Sequence, residues 1–225
     1  MAVTAFFDVD GTITDGHILR PLVRFQLAHL PRLKKIGWLL RFLLKVPLFL
    51  WIDKRSRSRF NVIFYRCYAG LESTRVREYH QRTFEELVRP HIFPDALQCI
   101  KNHQAQGHRI VLVTGALDLW TEPLAAFLNV ADIMAIRLEE NDGRFTGNID
   151  GSPIADEHKA TLIHEFADQK DIELKNSYAY GNSMGDSSML ECVGNAIAIN
   201  PDKRLHRLSI ERGWRIEQWR LTGDS

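Results

Sequence analysis

Two aspartates one residue apart, Asp8 and Asp10, end an apolar run at the start of the chain and lead into Gly11 and Thr12. A carboxylate is a weak nucleophile towards a dianionic phosphate ester, because like charges repel. A site that supplies positive charge removes that obstacle. Two carboxylates this close allow one to stay ionised beside a metal while the other holds a proton for a leaving group. Three more polar groups follow: Thr114-Gly115, Lys159, and the run Gly181-Asn182-Ser183-Met184-Gly185-Asp186. Lysine would bring the cation, a threonine hydroxyl and backbone N–H groups would donate hydrogen bonds, and hard oxygen ligands suit magnesium. Each group alone has an ordinary reading. The aspartates fit a calcium loop or a turn, Thr114 a strand-end cap, and Lys159 a solvated lysine at a helix start. The four together, in this order, carry the signal.

Those groups need elements to bring them together. Ala2 to Phe7 reads as a buried strand that ends at the turn Asp10-Gly11-Thr12. Residues 17–87 place apolar side chains at three- and four-residue spacing with few turn signals, which predicts helices. A helix from Pro94 to near Gln106, stopped by Gly107, precedes a strand at Arg109 to Val113 that runs into Thr114. Strands are then expected at Ile133 to Arg137, Ser177 to Tyr180 and Ala196 to Ile199. Helices are expected at His158 to near Gln169 and Asp202 to Arg212. Trp214 to Trp219 reads as the apolar face of a last edge strand. This alternation predicts an α/β fold with an open, mostly parallel, Rossmann-like sheet. In such sheets ligands bind beyond the carboxyl ends of the strands, where all four polar groups fall. The helical block at 17–87 interrupts the alternation after the first strand. It reads as an inserted cap, with 1–16 and 88–225 forming the core.

Over nearly its whole length the sequence resembles the haloacid-dehalogenase superfamily. Within it the sequence is similar to the branch containing phosphoserine phosphatase, which has a helical cap between the first and second motifs. Asp142-Gly143-Arg144-Phe145-Thr146-Gly147 ahead of Lys159, and Met189-Leu190 after the last motif, add to the likeness. The resemblance implies a magnesium-dependent phosphatase. Asp8 would attack phosphorus and form an aspartyl phosphate, while Asp10 would protonate the leaving oxygen and later deprotonate water. Thr114, Gly115 and Lys159 would hold the phosphoryl oxygens. Asp8, Asp10, Asn182 and Asp186 would surround the metal, with Gly11, Thr12 and Ser183 completing the loops. Phosphotransferases and mutases of the superfamily share these motifs, so the acceptor stays open.

Two positions depart from the pattern. The family usually has aspartate at position 182. Asn182 keeps an oxygen ligand but removes a negative charge, implying either weaker magnesium affinity with the mechanism intact or a slow or inactive enzyme. Phosphoserine phosphatase has an acidic residue for the substrate's amino group nine positions after the nucleophile, and here that position is His17. Phosphoserine is therefore not the expected substrate.

The chain has 225 residues, 45% hydrophobic and 25% charged, which excludes a disordered chain and suits one core with a modest insertion. Cys67, Cys99 and Cys192 are far apart and lack metal-ligand spacing, so they are expected as free thiols. No basic segment followed by a long apolar one opens the chain, so the expected compartment is the cytoplasm. The net charge of +1 conceals an asymmetry. Between Arg32 and Arg59 nine basic residues face one acid, Asp53, giving +8 and leaving −7 for the remainder. Inside that stretch, Ile36 to Ile52 holds thirteen apolar residues in seventeen, too short and too charged for a comfortable span. It reads either as a cap bundle burying its leucines or as a surface lying on an anionic membrane, two compatible readings. Aliphatic rather than aromatic residues separate the charges, which argues against nucleic acid. A basic, apolar cap also gives a loose likeness to phosphatidylglycerol-phosphate phosphatases. The substrate classes are then a lipid phosphate or a small soluble ester. The other reading is a catalytically weak binding module recruited through the insert. Oligomeric state is not legible.

Overall fold

In a computed structural model, residues 2–16 and 19–221 are described; His17 and its proposed departure lie outside them. The first strand, β1 (Thr4–Phe7), is fully buried, as expected of a strand with apolar side chains on both faces. It occupies the middle of a seven-stranded sheet, between β2 (Arg109–Leu117) and β5 (Tyr178–Gly181), with Phe7 in register with Leu112 and Tyr180. Beyond β2 lie β3 (Asp132–Asn141) and β4 (Arg144–Asp150); beyond β5 lie β6 (Asn195–Ile199) and β7 (Arg215–Glu217). All neighbours run parallel except β3 and β4. The α/β class and the parallel sheet expected from the sequence are both present. β7 is the edge strand, and Trp219 just beyond it is buried.

Four helices follow β1 in the chain and form the inserted block: α1 (Leu19–His29), α2 (Arg32–Asp53), α3 (Arg57–Tyr65) and α4 (Ser73–Leu87). Ser56 caps α3 by accepting from the Arg59 N–H. The inner side of α2 is aromatic. Phe49 packs edge-on against Phe60 and Phe64, which stack on each other at 5.5 Å. The sheet helices are α5 (Pro94–Ala105), α6 (Asp118–Leu128), α7 (Glu157–Lys170), the short α8 (Ser187–Glu191) and α9 (Lys203–Arg212).

Three features differ from the sequence expectation. β2 continues to Leu117 instead of ending at Val113. It slips register against β3 between Val113 and Leu117, so Thr114 and Gly115 sit where the strand bulges. α6 is an addition, obscured in the sequence by Pro123 inside the helix. β4 is the second addition. Asp142 and Gly143 both have positive φ (50° and 72°) and make a two-residue hairpin turn. The hairpin also grips the helical block. The Gly70 N–H donates to the Phe145 carbonyl, Phe145 N–H to the Leu71 carbonyl, and Ser73 N–H to the Gly143 carbonyl.

Leu112 is wholly buried in the register that carries β1. Leu112→Ala should lower the unfolding free energy by about 2–5 kcal/mol, read from a urea titration with unchanged slope.

Candidate active site

β1 delivers Asp8 to the end of the sheet, where its N–H donates to the Tyr180 carbonyl of β5. The chain then turns sharply, with the N–H groups of Thr12, Ile13 and Thr14 all directed at the Val9 carbonyl. Gly11 makes the turn possible. Its φ is +87°, and a Cβ there would lie 2.1 Å from Asn182 Nδ2. The two loops that carry Asp10 and Asn182 therefore touch.

Lys159 starts α7 and is buried rather than solvated. Its Nζ donates to Asp8 Oδ1 and to Asp186 Oδ1, both at 2.6 Å. Asp186 Oδ2 accepts from the N–H groups of Asn182 and Ser183 (3.1 and 2.9 Å) and from the Ser183 hydroxyl (2.9 Å). Thr12 Oγ1 lies 3.4 Å from Asp8 Oδ2 and 3.5 Å from Asn182 Oδ1. Thr114 takes the Ala116 N–H on its oxygen, which leaves its own proton for a ligand. Gly115 is pinned from the helical block: Tyr65 donates to its carbonyl at 2.7 Å. Asp8, Asp10, Gly11, Thr114, Gly115, Lys159, Asn182, Ser183 and Asp186 all line one cavity of about 300 Å³. Thr12 stands behind it.

Electrostatics separate the carboxylates. Burial pushes Asp8 up to about 6, with Asp186 adding to the shift and Lys159 opposing it. Burial would also raise Asp186, but Lys159 and the Ser183 contacts outweigh it and hold Asp186 below the usual range. Lys159 loses from burial, yet Asp186 and Asp8 keep it above its ordinary value and charged. Asp10 goes up to about 7, chiefly through burial, with Arg57 opposing. Both Asp10 carboxylate oxygens are buried and have no hydrogen-bond partner among the described residues.

Arg57 was not singled out by the sequence, where it is one of nine clustered cations. Here it lines the cavity and is held by Asp53 at 2.8 Å. A second, smaller cavity adjoins the first and shares Asp10 and Gly16 with it. Arg20, Arg24, His80, Thr83 and His91 are on its walls.

A metal finds oxygen ligands here but few charges. No three His, Cys, Asp or Glu side chains are grouped to hold an ion among the described residues. Position 182 offers an amide instead of an acid, and Asp186 has both oxygens engaged. What remains, the Asp8 carboxylate and the Asn182 amide, with the unpartnered Asp10 carboxyl beside them, fits a hard cation that binds through one or two carboxylates.

The model of the haloacid dehalogenase-like hydrolases matches residues 5–191. The chain belongs to this family. Among curated relatives, a probable phosphatase of Mycobacterium tuberculosis is 33% identical over 148 residues, covering 66% of this chain and 51% of the relative. The chain thus spans about half the length of that relative. A protein named phosphoserine phosphatase, also from M. tuberculosis, is 28% identical over 225 residues, with 98% of this chain and 72% of the relative covered. Among solved structures, a Bordetella pertussis protein of unknown function superposes with a TM-score of 0.82 at 24% identity, covering 96% of this chain and 98% of the other. A substrate-bound phosphoserine phosphatase gives 0.68 at 17% identity, covering 92% and 90%. These two share the fold.

A group whose folded pKa is raised adds stability below its unfolded value and loses it as pH rises through the folded one. Without metal, the Asp10 contribution should therefore fall between about pH 4 and pH 7. Asp10→Asn should flatten that fall in urea titrations across this range. Lys159→Met, which strands two buried carboxylates, should destabilise by about 3–5 kcal/mol near neutral pH and by clearly less in acid.

Proposed function

We propose that the chain is a phosphatase that hydrolyses a phosphate monoester through an aspartyl phosphate on Asp8. The observation that carries the reading is the buried Lys159 between Asp8 and Asp186, with the unpartnered Asp10 in the same cavity. Residues 17–87 act as the cap over a core of 1–16 and 88–225.

An Asp8 oxygen attacks phosphorus, and the bond from phosphorus to the ester oxygen breaks. Asp10 gives its proton to that leaving oxygen, a role suited to an acid still protonated near neutral pH. A water deprotonated by Asp10 then releases phosphate and restores both aspartates. Lys159, the Thr114 hydroxyl and the N–H groups at Gly115 meet the phosphoryl oxygens, where negative charge develops. Magnesium held by Asp8 and Asn182 beside the Asp10 carboxyl, with Asp186 behind Lys159, would supply further positive charge to the phosphoryl oxygens.

Asp10 stands at the junction of the two cavities, so the smaller one receives the leaving group. Its walls carry two arginines, two histidines and, apart from Asp10, no acid among the described residues. That lining supports an anionic or neutral alcohol rather than one bearing a free ammonium. Relatives carry the names phosphoserine phosphatase and, in Neisseria meningitidis, histidinol-phosphatase. Serine and histidinol both bear an ammonium, so this lining disfavours those two esters; the candidates it supports are a soluble ester whose alcohol lacks an ammonium and a lipid phosphate such as phosphatidylglycerol phosphate. The loss of one acid at Asn182 favours a second reading, a weakly active module that uses the same surface for recruitment.

Phosphate release from soluble esters and from a lipid phosphate in vesicles separates the readings. Release should need magnesium and fall at least a hundredfold in Asp8→Asn, on the scale of losing a covalent nucleophile. No release from any of them with magnesium in excess would favour the module. Asn182→Asp should tighten magnesium roughly tenfold, measured by calorimetry. Magnesium should raise the melting temperature of the wild type more at pH 7.5 than at pH 5.5, because its ligands must be ionised.

A further inference from the structure

α2 buries a narrow face. Phe42, Phe49 and Ile52 are covered, and Trp38 and Val46 are half-buried against the core. Successive residues turn by about 100° in a helix, which places Leu33, Ile36, Leu40, Leu44, Leu48 and Trp51 together on the opposite side. All six are exposed, Leu33 by 92% and Leu44 by 81%. The arc they span contains no charged side chain. It runs about 27 Å along the helix at 1.5 Å per residue. Lys34, Arg41 and Lys45, seven and four residues apart, form a cationic row along one margin. At the far end the Arg55 guanidinium lies 3.7 Å over the Trp51 ring, and Lys54 stands beside it.

A strip of this length is not an ordinary water-facing surface. A second copy of the chain is a poor cover, because it would bring another insert of charge +8 against this one. Nucleic acid would meet leucines where stacking rings are needed. An anionic bilayer satisfies both halves of the pattern. The apolar strip enters the boundary between headgroups and acyl chains, and the cationic row stays at headgroup level. No helix among the described residues is long and apolar enough to cross a membrane, so the arrangement is that of a helix lying in the interface.

We propose that the outer face of α2 docks the protein on an anionic lipid leaflet. The active-site cavity and a shallow groove beside it share Asp53, Arg57, Ser183 and Gly185 at the carboxyl end of α2. Docking therefore brings the mouth of the site close to the headgroup layer. This inference concerns the surface alone and does not rest on the chemistry proposed above.

Sedimentation of the full chain with two kinds of vesicle tests it, one of phosphatidylcholine alone and one of equal parts phosphatidylcholine and phosphatidylglycerol. Binding to the anionic vesicles should exceed binding to the neutral ones by tenfold or more. The variant Lys34→Gln, Arg41→Gln, Lys45→Gln should weaken it about a hundredfold, as expected for three surface cations. Leu40→Glu with Leu44→Glu should abolish it. Both variants should keep the wild-type circular dichroism spectrum and melting temperature, since the altered side chains are exposed. Absence of binding to anionic vesicles, equal binding by the variants, or a dimer in light scattering that only the leucine variant dissociates would each overturn the proposal.

Discussion

A buried ammonium between two carboxylates is the constraint on which the rest of the site depends. Lys159 comes from the start of a helix, Asp8 from the end of β1, and Asp186 from the turn that follows β5. Taking three charges out of water is unfavourable unless each finds partners, and here the geometry supplies them. Asp186 completes its set with the N–H groups of the loop that carries it. The loop, the helix start and the first strand are therefore fixed relative to one another by the demand for charge neutralisation. In the reaction proposed above, the cation would meet the oxygens of an incoming phosphoryl group, so the same contact that orders the fold would prepare the chemistry.

Asp10 shows the opposite arrangement. It is two residues from Asp8, yet its carboxyl has no hydrogen-bond donor among the described residues, and Arg57 and Lys159 favour its charge without outweighing burial. Two identical side chains in one loop are thus given different affinities for a proton by their surroundings. The contrast suits the roles proposed above, one as nucleophile and the other as acid.

Much of this was readable in the chain. The apolar run before Asp8, the alternation of strand and helix, and the order of the polar groups were enough for the sheet and for the residues that line the cavity. Lys159 could be assigned only through its company, since a lysine at a helix start is ordinarily solvated. Arg57 was invisible because choosing one cation among nine requires knowing where α3 points. α6 was hidden by Pro123, whose usual meaning is a break. The β4 hairpin was within reach, since Asp142-Gly143 is a strong turn signal, but the pair was weighed only as part of a motif. The outward face of α2 was the real ambiguity. A leucine-rich helix has the same composition whether its leucines are covered or bare, and only the packing of Phe42 and Phe49 fixes its rotation.

The hairpin's hold on the helical block has a mechanical consequence. A cap attached only through its two ends can swing on them like a door. This one is also laced at Gly70, Leu71 and Ser73 to backbone atoms of the β3–β4 arm. Those backbone hydrogen bonds oppose such a swing. For the phosphatase proposed above, selectivity would then depend on what fits the cavity beside Asp53 and Arg57 rather than on how often a lid opens.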